Sequence, residues 1–308
     1  MPTKKTVQKN NLAIIIVSYN TRQLLDNCLT SIYKALHPQG GLEVVVVDNN
    51  SKDGSLEMVK KKFPQVQLIE NTSNLGFSKA NNIGAKATSS KYLLFLNSDT
   101  VLKKFSLVKP LKYLKNHTKV GALTIKLILG SGEIDYDNRR GFPTPWNTFC
   151  RLFGLSKIFT NSLVFNSYHL GFRPIKKPTQ VPVIAGSFFM ISSKVFKEIA
   201  GWDEDFFFYG EDIDICYRLQ QAGYQIIYYP RTSAIHLKGA SSGIRIETEE
   251  ITKATKKIKI KVAKASIKAW ELFVKKHYSN KYPTIFVWFM MLGIKIKGSI
   301  RLLKWKLS

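Results

Sequence analysis

Residues 206–224 read FFFYGEDIDICYRLQQAGY: four aromatic side chains, a glycine, then Glu211, Asp212 and Asp214 at the head of a pattern of helical period. Two kinds of chemistry put acids in such a place. Carboxylates in a first helical turn face the partial positive charge of unpaired backbone N–H groups. Asp214 also stands four residues before Arg218, the spacing of an exposed helical ion pair worth a few tenths of a kcal/mol. A carboxylate held at a helix mouth can equally accept a proton from a nucleophile.

Three further polar groups terminate apolar runs. Asp48 closes VVVVD, where a carboxylate can accept hydrogen bonds from a base N–H or a ribose hydroxyl. It could also cap the helix starting at 54, a job for which Ser51 and Asp53 are equally placed. Asp99 stands at the tip of YLLFLNSDT and suits Mg²⁺ or Mn²⁺, hard cations that reach proteins through one or two carboxylates plus substrate phosphates. His236 follows an apolar isoleucine, and a packed or hydrogen-bonded histidine is the commoner fate of such a residue. The loop behind it, with Lys238, Gly239, Ser241, Ser242 and Gly243, offers one cation and several small donors, which is what a diphosphate needs. Neither a Walker loop nor a Gly-x-Gly-x-x-Gly after the first strand is present, which weighs against ATPase and dehydrogenase readings.

Such groups must be positioned by a scaffold. LAIIIVSY (12–19), LEVVVVDN (42–49), VQLIE (66–70) and KYLLFLNSD (91–99) are β-branched or apolar runs without polar alternation, as expected of strands buried on both faces. Helical patterns over 22–36, 54–63 and 78–88 lie between them. The βαβαβαβ order predicts a parallel sheet with ligands in the crevice beyond the carboxyl ends of its strands, where SYN, DNNS and NSD fall. Residues 130–180, rich in Gly, Pro and aromatics, read as loops with short helices. Regular structure resumes at 181–192, then a short helix from 193, the opening stretch, and a strand over 224–230. From about 246 the chain becomes a Lys-rich helix followed by the apolar segment IFVWFMMLGI (285–294).

The chain has 308 residues and 47 Lys plus Arg against 21 Asp plus Glu, a formal net charge of +26 that calls for an anionic partner or surface. Three scattered cysteines, Cys28, Cys150 and Cys216, make neither a disulfide framework nor a zinc site, and a reducing cytoplasm is the expectation. No signal peptide is expected, nor a spanning helix, since the longest apolar run is about half of the ~20 residues required. From Arg245 to Ser308 there are 16 Lys plus Arg against 4 Glu, next to that apolar segment. This combination suits peripheral binding to an anionic membrane surface. Phe286, Trp288, Phe289 and Met290 would enter the interface while Lys295, Lys297, Arg301, Lys304 and Lys306 meet headgroups. A tail packed on the rest of the chain, or on a partner copy, is the alternative.

In order, IIIVSYN, VVVVDNNSKDGS, NLGFSKANNIGAK, YLLFLNSDT, AGSFFMISSKVFKEIAGWDEDFFFYGEDIDICYRLQQAGY and IHLKGASS closely resemble the inverting family 2 glycosyltransferases, most of all the bacterial rhamnosyltransferase type. The resemblance covers about residues 11–243. It implies an α/β GT-A fold, a Rossmann-like, mostly parallel sheet flanked by helices, occupying 1–245, with 246–308 as a basic helical tail. By the same resemblance Tyr19 and Asp48 hold the nucleotide base, and Asn74, Phe77 and Asn81 lie near the ribose and sugar, with Ser98, Lys238 and Ser241 also on the donor. Asp99 would bind the metal, Mg²⁺ or Mn²⁺, with His236 completing its shell. Asp212 matches the catalytic base and Glu211 its support, while Trp202, Phe208 and Tyr209 wall the sugar or acceptor pocket. Many members carry Asp-x-Asp where this chain has Asn97-Ser98-Asp99, which leaves the metal more dependent on the diphosphate and His236.

The implied reaction moves a sugar, with rhamnose a candidate, from a UDP-, dTDP- or GDP-linked donor to a hydroxyl of a glycan or lipid-linked acceptor. Its implied setting is the cytoplasmic face of the plasma membrane, in cell wall or polysaccharide synthesis. Two rival readings stand beside it. The charge and the interleaved Trp146, Phe149 and Phe153 are compatible with nucleic-acid binding, although the concentration of charge beside the apolar tail argues against it. A sugar-nucleotide binder without turnover would keep the same donor motifs.

Overall fold

The computed structural model describes residues 11–35, 41–172, 175–239 and 256–307. The first ninety-odd residues alternate as expected: β1 (Leu12–Ser18), α1 (Arg22–Ala35), β2 (Leu42–Asp48), α2 (Ser55–Lys62), β3 (Gln67–Glu70), α3 (Phe77–Lys86) and β4 (Tyr92–Leu96). The four strands pair in parallel in the order β3-β2-β1-β4, and the register sets Ser18 beside Asp48 and Asp48 beside Glu70. Successive side chains of β1 enter opposite layers. Ile14 and Ile16 pack with Leu25, Leu29 and Ile32 of α1, whereas Ala13 and Ile15 pack with Ala80 of α3. Each fully buried Ile or Leu contributes about 1.5–3 kcal/mol, so a polar residue in these runs would cost more than it could recover.

Past β4 the chain departs from simple alternation. It adds β5 (Thr100–Leu102), α4 (Val108–Asn116), β6 (Val120–Leu129), β7 (Arg139–Arg140), α5 (Pro145–Leu152) and α6 (Leu155–Ile158). Then come β8 (Thr179–Gln180), β9 (Val183–Ile184), β10 (Phe188–Ser192), α7 (Ser193–Glu198), α8 (Glu211–Gln221) and β11 (Gln225–His236). The 9-stranded sheet runs β3-β2-β1-β4-β10-β6-β11-β5, with β8 on β11. β10 lies antiparallel to both β4 and β6, so the sheet is mixed in its second half. The strand expected over 91–99 ends at Leu96, and a turn delivers Asn97, Ser98 and Asp99 at its tip. The strand expected to end at 230 continues to His236 through a register shift between Tyr229 and Ser233, around Pro230, which has no N–H to give a ladder. Pairing of β11 with β5 then places His236 opposite Thr100, next to Asp99.

Two helices follow, α9 (Lys256–His277) and α10 (Thr284–Leu307). α9 packs onto the sheet's helical layer: Ala269, Phe273 and Val274 are buried in one cluster with Ile213 and Tyr217 of α8. α10 lies against α9 and α5. Phe286, Trp288 and Phe289 are exposed on it, but Met290 is buried in the same cluster, so it does not belong with them. Among the described residues no helix is long and apolar enough to cross a membrane.

Candidate active site

Beyond the carboxyl ends of β1 and β2, polar groups are held by amides and hydroxyls. Asp48 is buried at the end of β2, and its Oδ1 accepts the Ser51 N–H at 2.7 Å while Oδ2 has no hydrogen-bond partner. It does not cap α2. That helix starts at Gly54 without a side-chain cap, and Asp53 instead accepts from Arg22 and Ser55. A buried carboxylate oxygen left without a donor is costly unless a ligand supplies one. Asn49 donates to Gly76 O at 3.1 Å and to Asn74 Oδ1 at 3.3 Å, and Asn74 also accepts the Gly76 N–H at 3.0 Å. Tyr19 is exposed just beyond β1, while Asn81 is buried with its amide on Phe77 O.

At the tips of β4 and β11 the character changes to buried ions. Asp99 and His236 are both buried, with His236 Nε2 at 3.3 Å from Asp99 Oδ1, without the alignment of a hydrogen bond. The other ring nitrogen, Nδ1, is 3.2 Å from Asp135 Oδ2. Burial alone would lower the His236 pKa, but Asp99 and Asp135 override it and push it up to about 9. Lys238 Nζ bridges Asp135 at 2.6 Å and Asp137 at 2.7 Å. Burial works against the Asp135 charge, yet His236 and Lys238 hold its carboxyl well below the usual range. Ser98 is buried beside Asp99, whereas Ser241 lies outside the described residues.

The opening acids cap the third part of the site. Asp212 Oδ2 receives Arg140 Nη2 at 2.6 Å, and Arg140 Nη1 donates to Asp137 O at 2.8 Å. A line of contacts thus runs from Asp99 through His236, Asp135, Lys238, Asp137 and Arg140 to Asp212. Burial would lower the Arg140 pKa, but Asp212 more than compensates and raises it. Glu211 is pushed up to about 8, by burial first and the Asp212 charge second, so it is a neutral acid beside an ion-paired carboxylate at pH 7. Asp214 is not the exposed acid that its spacing predicts. It is wholly buried, receives Arg218 Nε and Nη2 at 2.8 and 2.6 Å, and meets His277 Nε2 of α9 at 2.7 Å.

The aromatic run divides. Phe206 is core, Phe207 is exposed, and Phe208 and Tyr209 lie with ring centroids 4.2 Å apart. Trp202 corrects the expectation of a pocket wall: it is 1% exposed, packed against Phe95, Phe189 and Phe77, and so underlies the site. Phe77 donates its N–H to Phe207 O at 2.8 Å, where Gly76, at φ +83, leaves no room for a Cβ, which would fall 2.5 Å from Phe207 O. This clasp joins the loop before α3 to the aromatic loop before α8. Asp135, Asp137, Arg140 and His277 carry no sequence signal of their own, since they meet their partners across 63 to 103 positions of chain.

Among the described residues no group of three or more His, Cys, Asp or Glu side chains is arranged to hold a metal ion. The donor set at Asp99 and His236 still fits a hard divalent cation. Asp99 Oδ1 is buried without a hydrogen bond, and His236 is oriented by a carboxylate on its far nitrogen, the usual outer support of a ligating histidine. Two protein ligands would leave the remaining positions to substrate oxygens.

A family profile described as "Glycosyltransferase like family 2" matches residues 10–256. The N-acetylglucosaminyl-diphospho-decaprenol L-rhamnosyltransferase of Mycobacterium tuberculosis is 25% identical over 246 residues, 75% of this chain and 78% of that protein. Rhamnosyltransferase WbbL of Escherichia coli K12 is 27% identical over 232 residues, 72% of this chain and 82% of its own. The mannosyltransferase PcManGT of Pyrobaculum calidifontis, solved with GDP-Man and Mn²⁺, superposes with a TM-score of 0.57 over 98% of this chain and 74% of its own at 18% identity, a likeness of GT-A fold.

Proposed function

The chain belongs to the family 2 glycosyltransferases, an enzyme family, and on that premise we propose an inverting transfer of a sugar, rhamnose first among the candidates, from a nucleoside-diphosphate donor to a hydroxyl of a glycan or lipid-linked acceptor. The observation that carries this reading is the Asp212–Arg140 pair, which ties the acid at the mouth of α8 to the ion chain ending at Asp99 and His236. Arg140 engages Asp212 through Oδ2, and Oδ1 accepts the acceptor's hydroxyl proton as the new C–O bond forms. The anomeric C–O bond to the diphosphate breaks in the same displacement, and its electron pair leaves with the nucleoside diphosphate. Glu211, neutral at pH 7, keeps a second negative charge away from the base.

Tyr19 and Asp48 take the base, and Asn74, Phe77, Asn81 and Ser98 shape the ribose and sugar side. Lys238 and Ser241 serve the diphosphate. Phe208 and Tyr209 wall the sugar, and Trp202 supports the site by packing against Phe77. Asp99 and His236 are the residues that would hold Mg²⁺ or Mn²⁺, which supplies neutralisation of the departing diphosphate's charge. Residues 1–245 form the catalytic unit, and 246–308 a tail that meets the anionic inner face of the plasma membrane. The donor is a UDP-, dTDP- or GDP-sugar, and nucleic acid is not a partner.

Asp212→Asn keeps shape but cannot take a proton, so turnover should fall by roughly 10²- to 10⁴-fold while donor affinity holds. The wild type is to be screened for hydrolysis and transfer across UDP-, GDP- and dTDP-sugars. Donor binding without turnover in the wild type would make it a sugar-nucleotide binder, and unimpaired transfer by Asp212→Asn would remove the base from Asp212.

A further inference from the structure

Between α5, α9 and α10 lies a cavity of about 200 Å³, separate from the donor residues. Its walls are apolar: Leu152, Ile267, Trp270, Met290 and Ile294. Three cations line the same cavity, Arg151 of α5 and Lys297 and Arg301 of α10. The charged groups acting on Lys297 are all cationic, Arg151, Arg301 and Lys157, and together with partial burial, the larger cause, they push its pKa down to about 8. Like charges gathered at the edge of an apolar hollow repel one another unless an anion joins them. Lys297 and Arg301, both exposed, thus stand at the rim of this hollow together with Met290, Gly293 and Ile294.

The cavity also adjoins the catalytic side. Its wall residue Tyr168 accepts the N–H of Gly141, the residue after Arg140, at 2.8 Å. Its volume exceeds the ~150 Å³ that accommodates one benzene ring, enough for the first carbons of a chain but not a long one. Past the cavity, α10 exposes Ile296, Ile300 and Leu303 along which more chain could lie.

We infer that this cavity is the docking site of the acceptor's lipid anchor, a long-chain lipid phosphate or diphosphate whose head is held by Arg151, Lys297 and Arg301 and whose first carbons enter the Trp270 hollow. The inference rests on the proposed transfer and names its acceptor class. Docked there, the sugar on the lipid head would stand beside the strand that carries Arg140, and so near Asp212.

Calorimetry on the full chain with farnesyl diphosphate as probe tests this. Arg301→Glu and Lys297→Glu should each weaken binding about tenfold or more, the scale of a lost charge-assisted hydrogen bond. Gly293→Leu fills the hollow without touching charge and should do the same. Inorganic diphosphate and farnesol should each bind at least about tenfold more weakly than the joined probe, by the same scale. Equal binding of inorganic diphosphate, displacement of the probe by phosphatidylglycerol vesicles at matched phosphate, or affinity unchanged in all three variants would overturn the proposal. Nucleotide affinity and donor turnover on the same samples report on the transfer reading separately. Probe binding without donor turnover sinks that reading and leaves the site, whereas donor turnover without probe binding does the reverse.

Discussion

The two sides of the crevice are built from different materials. Around Asp48 and Asn74 the groups that would meet a nucleoside are fixed by neutral amide and hydroxyl bonds to the backbone, as in Asn49 on Gly76 and Ser51 on Asp48. Around Asp135, Arg140 and Asp214 most side-chain contacts join two ionisable groups, largely out of water. Neutral bonds contribute about 1 kcal/mol each and give shape, whereas buried ions are neutral on balance and expensive to break. The Asp48 side is therefore a fixed mould, and the other side is a charge distribution in which neighbouring ionisable groups act on one another.

Substitutions can break that contrast. The largest effect on folding should come from Asp214→Asn, which strands Arg218 and His277 and should cost about 3–5 kcal/mol in chemical denaturation. A loss of only a few tenths would restore Asp214 to the surface pair suggested by its spacing. Next comes pH. The Glu211 carboxyl is raised from 4.5 to about 8 on folding, so the folded state binds its proton more tightly. Its stability is then full below pH 4.5 and declines as pH rises toward about 8, by at most about 1.4 kcal/mol per pH unit. Glu211→Gln should remove that slope, and a melting profile over pH 5–9 parallel to the wild type's would refute the assignment.

Asp135→Asn should weaken metal-dependent donor binding by about 10–100-fold, the usual consequence of losing a histidine's outer carboxylate. Nucleotide binding without metal should hold, and titration with and without Mn²⁺ separates the two. The smallest effect belongs to the mould: Asn74→Ala should lower stability by about 1 kcal/mol with little dependence on salt. A strong salt dependence there would erase the distinction between the two sides.

That division also explains what the sequence reveals. Runs such as LAIIIVSY and LEVVVVDN announce their strands because burial on both faces forbids polar residues within them, and Asp48, Asp99 and His236 stand out by ending such runs. The family motifs lead to Asp212 in the same way. Asp135, Asp137 and Arg140 sit in a stretch without periodicity, and their meaning comes from partners far along the chain. β6 is ten residues of good strand, yet only the mixed sheet shows that it separates β10 from β11. The spacing of Asp214 and Arg218 is a local fact, and whether water reaches the pair depends on α9, which no local pattern specifies.

The contact between Asp214 and His277 also orders events in time. A ribosome adding ~5–20 residues per second delivers His277 about 3 to 13 s after Asp214, a separation of 63 positions. Through that interval the residues of β1–β4 and of the helix bearing the acid cluster have been made, but of Asp214's two partners only Arg218 has. The helix mouth that presents Asp212 is thus completed by the last quarter of the polypeptide, by the final residue of α9 and before α10 has been made.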